Sequence, residues 1–199
     1  VYVVSDMFGL WAYRRDFDGR VLAIILPGAM AGVAAGWAAA SMVPENGVRV
    51  LVGLIGVIFA LNLILRGNPD GPPRRAALGP GLFWGAVTGF TSFVSHAGAP
   101  PYQVYTLPLG MQKAVFAGTS TIAFAVINAV KLVPYYALGQ LNTGNLKVAA
   151  VLAIPAAIAV FAGVRLVQWL PEKLFFQLVT WALLLISLKL IWDGARGLG

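Results

Sequence analysis

A chain of 199 residues that is 59% hydrophobic and only 11% charged, with a mean hydropathy of +0.82, has too little polar surface to cover a water-soluble globule. Its net charge of +7 does not make it a nucleic-acid binder, because the basic residues stand singly or in twos and threes between apolar stretches and form no continuous face. With no cysteine, one histidine and seven acidic residues, neither a disulfide framework nor a thiolate or His/carboxylate metal cage is expected, and no cofactor is implied.

A bilayer resolves the surface problem, and the chain divides into stretches long enough to cross one. Val1–Tyr13 reads as the end of an earlier helix, with no cleavable leader, so the chain reads as a fragment or processed product. Spanning helices are predicted at Val21–Val43, Val48–Leu65, Ala76–Ala99, Val115–Leu138, Leu146–Leu170 and Leu174–Trp192. The expected fold is therefore an all-α integral membrane protein of about six transmembrane helices plus the end of an earlier one. In the first of the six, Gly28, Gly32 and Gly36 form two overlapping GxxxG units, a pattern of ordinary close helix packing.

The most polar spacer, Arg66–Arg75 (RGNPDGPPRR), combines glycine, proline and charge and divides the chain. It is expected to be a cytoplasmic loop within one transmembrane domain, residues 1–199, between residues 1–65 and residues 76–199. If every stretch crosses once, Arg14, Arg15, Arg20, Arg66, Arg74, Arg75, Lys147 and Arg196 share one side, against Arg49, Lys113, Arg165 and Lys173. The positive-inside tendency then puts the first group, and the C-terminus, in the cytoplasm.

The unusual part lies between Gly81 and Lys131. Leu82–His96 is apolar but carries Gly85, Gly89, Thr91, Ser92 and Ser95, and it runs into Ala97-Gly98-Ala99-Pro100-Pro101. A helix that short rises about 22 Å, less than the roughly 30 Å of hydrocarbon, so an interrupted helix is expected near Gly98–Pro101. Two prolines without N–H donors, and the restriction they place on Ala99, supply the break. Irregular backbone at such depth is tolerated only where protein or water covers it, and transporters use it to bind substrate and ions. The amide end of a following half-helix would suit an anion. Beyond it come Gln103 and Tyr105, then Gly118-Thr119-Ser120-Thr121, then Asn128 and Lys131, which share a helix face.

Ser95-His96-Ala97-Gly98-Ala99-Pro100-Pro101, with Gln103-Val104-Tyr105 and Leu107-Pro108-Leu109, resembles the signature of the TauE/SafE family of sulfite and organosulfonate exporters. Gly118-Thr119-Ser120, Asn128, Lys131-Leu132 and Gly139-Gln140-Leu141 continue the likeness. So do Ser5-Asp6, Trp11-Ala12-Tyr13-Arg14-Arg15 and Pro27-Gly28 upstream. The resemblance covers essentially the whole chain. It implies a fold of two related halves, each with a glycine-rich interrupted segment, of which this chain holds the second and the end of the first. It also implies export of a small anion, sulfite or a sulfonate, across a bacterial plasma membrane.

Each candidate for substrate binding has a plainer alternative. His96 would donate to the anion or carry a proton, its imidazole titrating near physiological pH, or would merely end a helix. Lys131 would supply fixed positive charge, or would snorkel towards the interface near Pro134, Tyr135 and Tyr136. Asn128 would line the path or bond between helices. Thr119 and Ser120 would open the helix after the break. Gln103 and Tyr105 would line the site or act as interface anchors. Ser95, Gly98, Pro100 and Pro101 belong to the break itself. A Ser92–His96 protease lacks a carboxylate to orient the histidine, and no P-loop is present to hydrolyse ATP. Asp6, Asp16, Asp18, Glu45, Asp70, Glu172 and Asp193 all read as lying outside mid-helix positions, which argues against a buried carboxylate relay. The alternatives to a transporter are a non-transporting membrane scaffold or maturation subunit, and a passive anion channel. Besides lipid and a small anion no partner is read, and a homo-oligomer is left open.

Overall fold

A computed structural model describes residues 2–40, 42–66, 73–137 and 143–198, with side chains for 5–40, 42–65, 73–137 and 151–198. The helices are α1 (Tyr2–Ala12), α2 (Gly19–Ala38), α3 (Glu45–Arg66), α4 (Leu78–Val94), α5 (Ala99–Thr106), α6 (Lys113–Ala137), α7 (Thr143–Trp169) and α8 (Glu172–Arg196), with a 3₁₀ turn at Leu107–Leu109. Among the described residues α2, α3, α6, α7 and α8 are long and apolar enough to cross a membrane. Val151, Ile154 and Ile158 on α7 are 72, 70 and 65% exposed, which suits contact with lipid rather than water. Most of the Arg66–Arg75 spacer, and Gly139-Gln140-Leu141, lie outside the described residues.

Local chemistry sets the starts of these helices. Asp18 caps α2, its Oδ1 accepting from the amides of Arg20 at 2.9 Å and Val21 at 3.0 Å. The amide of Asp18 in turn donates to Thr119 Oγ1 at 2.9 Å, which ties the start of α2 to the second turn of α6. Pro27, Pro134 and Pro155 sit within helices, as membrane helices tolerate.

The seam between α2 and α4 holds the core together. The two helices run parallel: Gly81 faces Ile24, Gly85 faces Ile25, Gly89 faces Ala29, and Gly32 faces the backbone of Ala86 and Phe90. Glycines from both partners let the backbones touch. α6 runs alongside in the same direction, with Ile127 against Ala29, Val33 and Phe93.

The predicted third span does not cross. α4 enters, the helix ends, and α5 turns back along it. Tyr105 OH donates to Ala77 O at 3.3 Å, Arg74 N donates to Pro108 O at 3.0 Å, and Gly110 rests on Pro73. The chain thus leaves the membrane on the side where it entered. Summed hydropathy measures the length of an apolar stretch and does not register a turn inside it. The break also falls earlier than expected, at Ser95–Gly98. Ala99 is helical, and Pro100 and Pro101 stand in the first turn of α5. There a missing N–H costs nothing, so the two prolines start a helix rather than stop one.

This hairpin rearranges the sides. Lys113 Nζ donates to Gln168 O at 3.0 Å and Leu170 O at 2.5 Å, so the start of α6 and the end of α7 meet on the entry side. Leaving out Lys131 and Lys189, which lie within apolar runs, Arg14, Arg15, Arg20, Arg66, Arg74, Arg75, Lys113, Arg165 and Lys173 gather there, nine against Arg49, Lys147 and Arg196 opposite. Asn46 Nδ2 donates to Gly197 O at 2.6 Å, so α8 ends beside the start of α3 and far from Arg14 and Arg15. The expectation that the C-terminus shares a side with Arg14 and Arg15 is therefore overturned, because one crossing fewer precedes it.

α3 and α8 form a second, antiparallel pair, with Gly53 and Gly56 against Ser187 and Gly194 against Asn46. The hairpin links this pair to the rest. Ala97 packs on Val48 and Val52, Pro100 lies against Gly56, and Leu107 lies against Ala60 and Leu183.

Candidate functional site

α4 ends because His96 adopts a left-handed backbone, φ 54°, the one non-glycine residue to do so among the described residues. Ser95 is the C-cap. Its amide and its hydroxyl both reach Thr91 O at 3.0 Å, and Ala97 N reaches the same carbonyl at 3.2 Å. Three donors on one carbonyl close the helix end. The seventeen residues of α4 rise about 25 Å, so the tip reaches the far end of the bundle, level with the last turn of α2, where Gly36 meets Phe93. His96 itself is exposed at this tip, its ring 6.4 Å from that of Tyr135.

Gly98 brings the limbs together. A Cβ there would lie 2.9 Å from Ser92 Cβ and 3.1 Å from Thr88 O. Pro100 and Pro101 are fully buried behind it. Because they carry no amide hydrogen, and because Tyr102 N is taken by Gly98 O at 3.2 Å, α5 offers its N-terminal end almost no free donors. The expectation of an anion held by half-helix amides loses its basis.

Positive charge comes instead from Lys131. Its side chain is 4% exposed, and Nζ donates to Ser92 Oγ at 3.0 Å and Ser92 O at 3.2 Å. It does not snorkel. It sits inside the bundle against the last turn of α4, where a cation also suits the helix dipole. One turn back on α6, Asn128 Nδ2 donates to Asp6 Oδ2 at 2.8 Å. Asn128 follows Ile127, which packs beside Ala29 in the middle of α2, so this bond lies near the middle of the bundle. Asp6 thus stands within α1 and among membrane-spanning helices, contrary to the reading that no carboxylate does. The Val1–Tyr13 stretch is too short to reveal its depth.

Other predicted residues are spread out. Thr119 is fully buried, but its hydroxyl serves Asp18, and it lies about 18 Å along α6 from Lys131. Tyr105 is buried at the entry-side end of the hairpin. The structure therefore brings together Ser95, His96, Gly98, Pro100, Pro101 and Lys131 around the tip, with Asn128 one turn further down. It leaves Thr119 and Tyr105 near the opposite end. Gln103 Oε1 on α5 is buried without a hydrogen-bond partner, as are Thr88 Oγ1 on α4 and Ser187 Oγ on α8. Ser120 donates to Phe116 O at 2.7 Å and lines a cavity of about 380 Å³ between α1, α6 and α7, which Asp6, Gly9, Tyr13 and Thr121 also line. Two residues that the sequence reading passed over as binding groups, Ser92 and Asp6, hold Lys131 and Asn128.

A multi-pass helical bundle with a re-entrant hairpin and a buried ammonium at its tip has the build of a membrane transporter. The family described as "Sulfite exporter TauE/SafE" matches residues 1–190, and the chain belongs to that family. No curated protein and no solved structure matches it.

Proposed function

We propose that the protein moves a small anion, sulfite or an organosulfonate, out of the cell across the plasma membrane, and that the anion pairs with Lys131 beside the hairpin tip. The observation that carries this reading is the burial of that ammonium between α4 and α6, on a hydroxyl and a carbonyl that are both neutral. Among the described residues no carboxylate forms an ion pair with it, and a bound anion would lower the cost of holding a cation there. Ser92, Ser95 and the backbone about Gly98 form the polar wall of the site, and His96 stands at its exposed mouth. Unpaired Thr88 Oγ1 and Gln103 Oε1 supply further polar contacts along the hairpin. The side rich in arginine and lysine faces the cytoplasm, so the C-terminus faces away from it.

The test is flux of sulfite and of methanesulfonate in sealed vesicles holding the purified protein. Saturable flux in the wild type, reduced at least tenfold in Lys131→Met and partly kept in Lys131→Arg, is the expected result. Flux unchanged in Lys131→Met would overturn the site, and flux that never saturates would point to a channel.

A further inference from the structure

The bond between Asp6 and Asn128 plays no part in that account. It joins the one carboxylate described inside the bundle to the helix that carries Lys131. Asn128 and Lys131 are one turn apart on α6, the first reaching to α1 and the second to α4. Asp6, held by Asn128, therefore lies about one helical turn along α6 from the residue that carries the ammonium. Asp6 also borders the 380 Å³ cavity, together with the hydroxyl residues Ser120 and Thr121. The hydroxyls of Ser120 and Thr121 donate to Phe116 O and Ala117 O. The α7 wall of that cavity, Val160, Gly163, Val164 and Val167, carries no titratable group. From α6 the charged neighbour is Lys131, and Tyr13 lines the same cavity at the end of α1.

We propose that Asp6 couples anion transport to protons. While its carboxylate is charged, it offsets the field of Lys131 and weakens anion binding. When a proton from water in the cavity joins the other carboxylate oxygen, Lys131 is left uncompensated and the anion binds. The proton returns to water as the anion leaves, so one proton accompanies each monovalent anion, export runs down the anion's own gradient, and no bond of the substrate is made or broken. The idea rests on the transport reading above and deepens it.

The experiment uses vesicles containing the full chain, methanesulfonate as a substrate of fixed charge, and a pH-sensitive dye inside. In the wild type, apparent affinity should rise about tenfold for each pH unit lost while Asp6 titrates, the limit for one linked proton. Internal pH should change as the anion moves. Asp6→Asn imitates the protonated form. It should keep anion exchange, hold affinity constant across pH and abolish the dye signal, and Asp6→Glu should restore both. Proton movement that persists in Asp6→Asn overturns the proposal. So does wild-type flux with neither pH dependence nor dye signal, a measurement that stands even if the variant does not fold. If wild-type vesicles move no anion at all, the transport reading itself fails, and the coupling proposal falls with it.

Discussion

Replacing Gly89 with alanine tests the seam on which the fold depends. The new methyl would lie 2.7 Å from the carbonyl carbon of Ala29 and 2.9 Å from its Cα. Carbon atoms pack at about 3.5–4.0 Å, so α2 and α4 would have to part by about 1 Å. The obstacle is backbone on both sides, so no side chain can rotate out of the way. Parting would also loosen the matching contacts at Gly32 and Gly85. Overpacking of this kind costs about 2 kcal/mol, a roughly thirtyfold loss in the folding constant. Reversible unfolding in detergent micelles with added dodecyl sulfate, read by tryptophan fluorescence, measures it. Trp37 on α2 and Trp84 on α4 report on this seam. Gly79 on the same helix meets nothing within 4 Å, so Gly79→Ala should be stabilising by about 0.5–1 kcal/mol. A Gly89→Ala protein within about 0.5 kcal/mol of wild type would refute the idea that backbone contact holds α4 in place.

Thr119→Val keeps the shape of a fully buried side chain but leaves the amide of Asp18 without its acceptor, and should cost about 1–3 kcal/mol in the same assay with little change in anion affinity. His96→Gly removes a side chain from a left-handed position and should gain about 1 kcal/mol in stability while lowering anion flux, measured side by side in unfolding and vesicle assays. The chain has no cysteine, so single cysteines at Asp16 and Leu198 can be labelled with an impermeant maleimide. They should react from opposite sides of the membrane, Asp16→Cys from the cytoplasm.

Much of this was legible because lipid imposes simple demands. The five long spans follow from apolar length, and Gly28 and Gly32 announced a tight helix contact, though not that its partner would be Gly85 and Gly89 of a parallel helix. The approach of an interruption was readable from the glycines, serines and prolines after Leu82. Its nature was not. Proline ends a helix that precedes it and begins one that follows, and only the left-handed turn at His96 decides which applies here. From that single ambiguity came the expectation of a full crossing at Ala76–Ala99 and of a C-terminus on the side of Arg14 and Arg15. Lys131 and Asn128 were found as polar groups in an apolar stretch. Their partners, Ser92 and Asp6, lie 39 and 122 residues away in sequence, and no local pattern encodes such pairings.

The pairing of α3 with α8 has a mechanical consequence. These two helices grip one another along their length and meet the remaining bundle chiefly across the short returning limb, through Ala97, Pro100 and Leu107. Away from that limb α8 also touches α6, where Phe116 meets Phe175 and Phe176 edge-on, so the two pairs stay joined at the entry side even where a substitution loosens the limb.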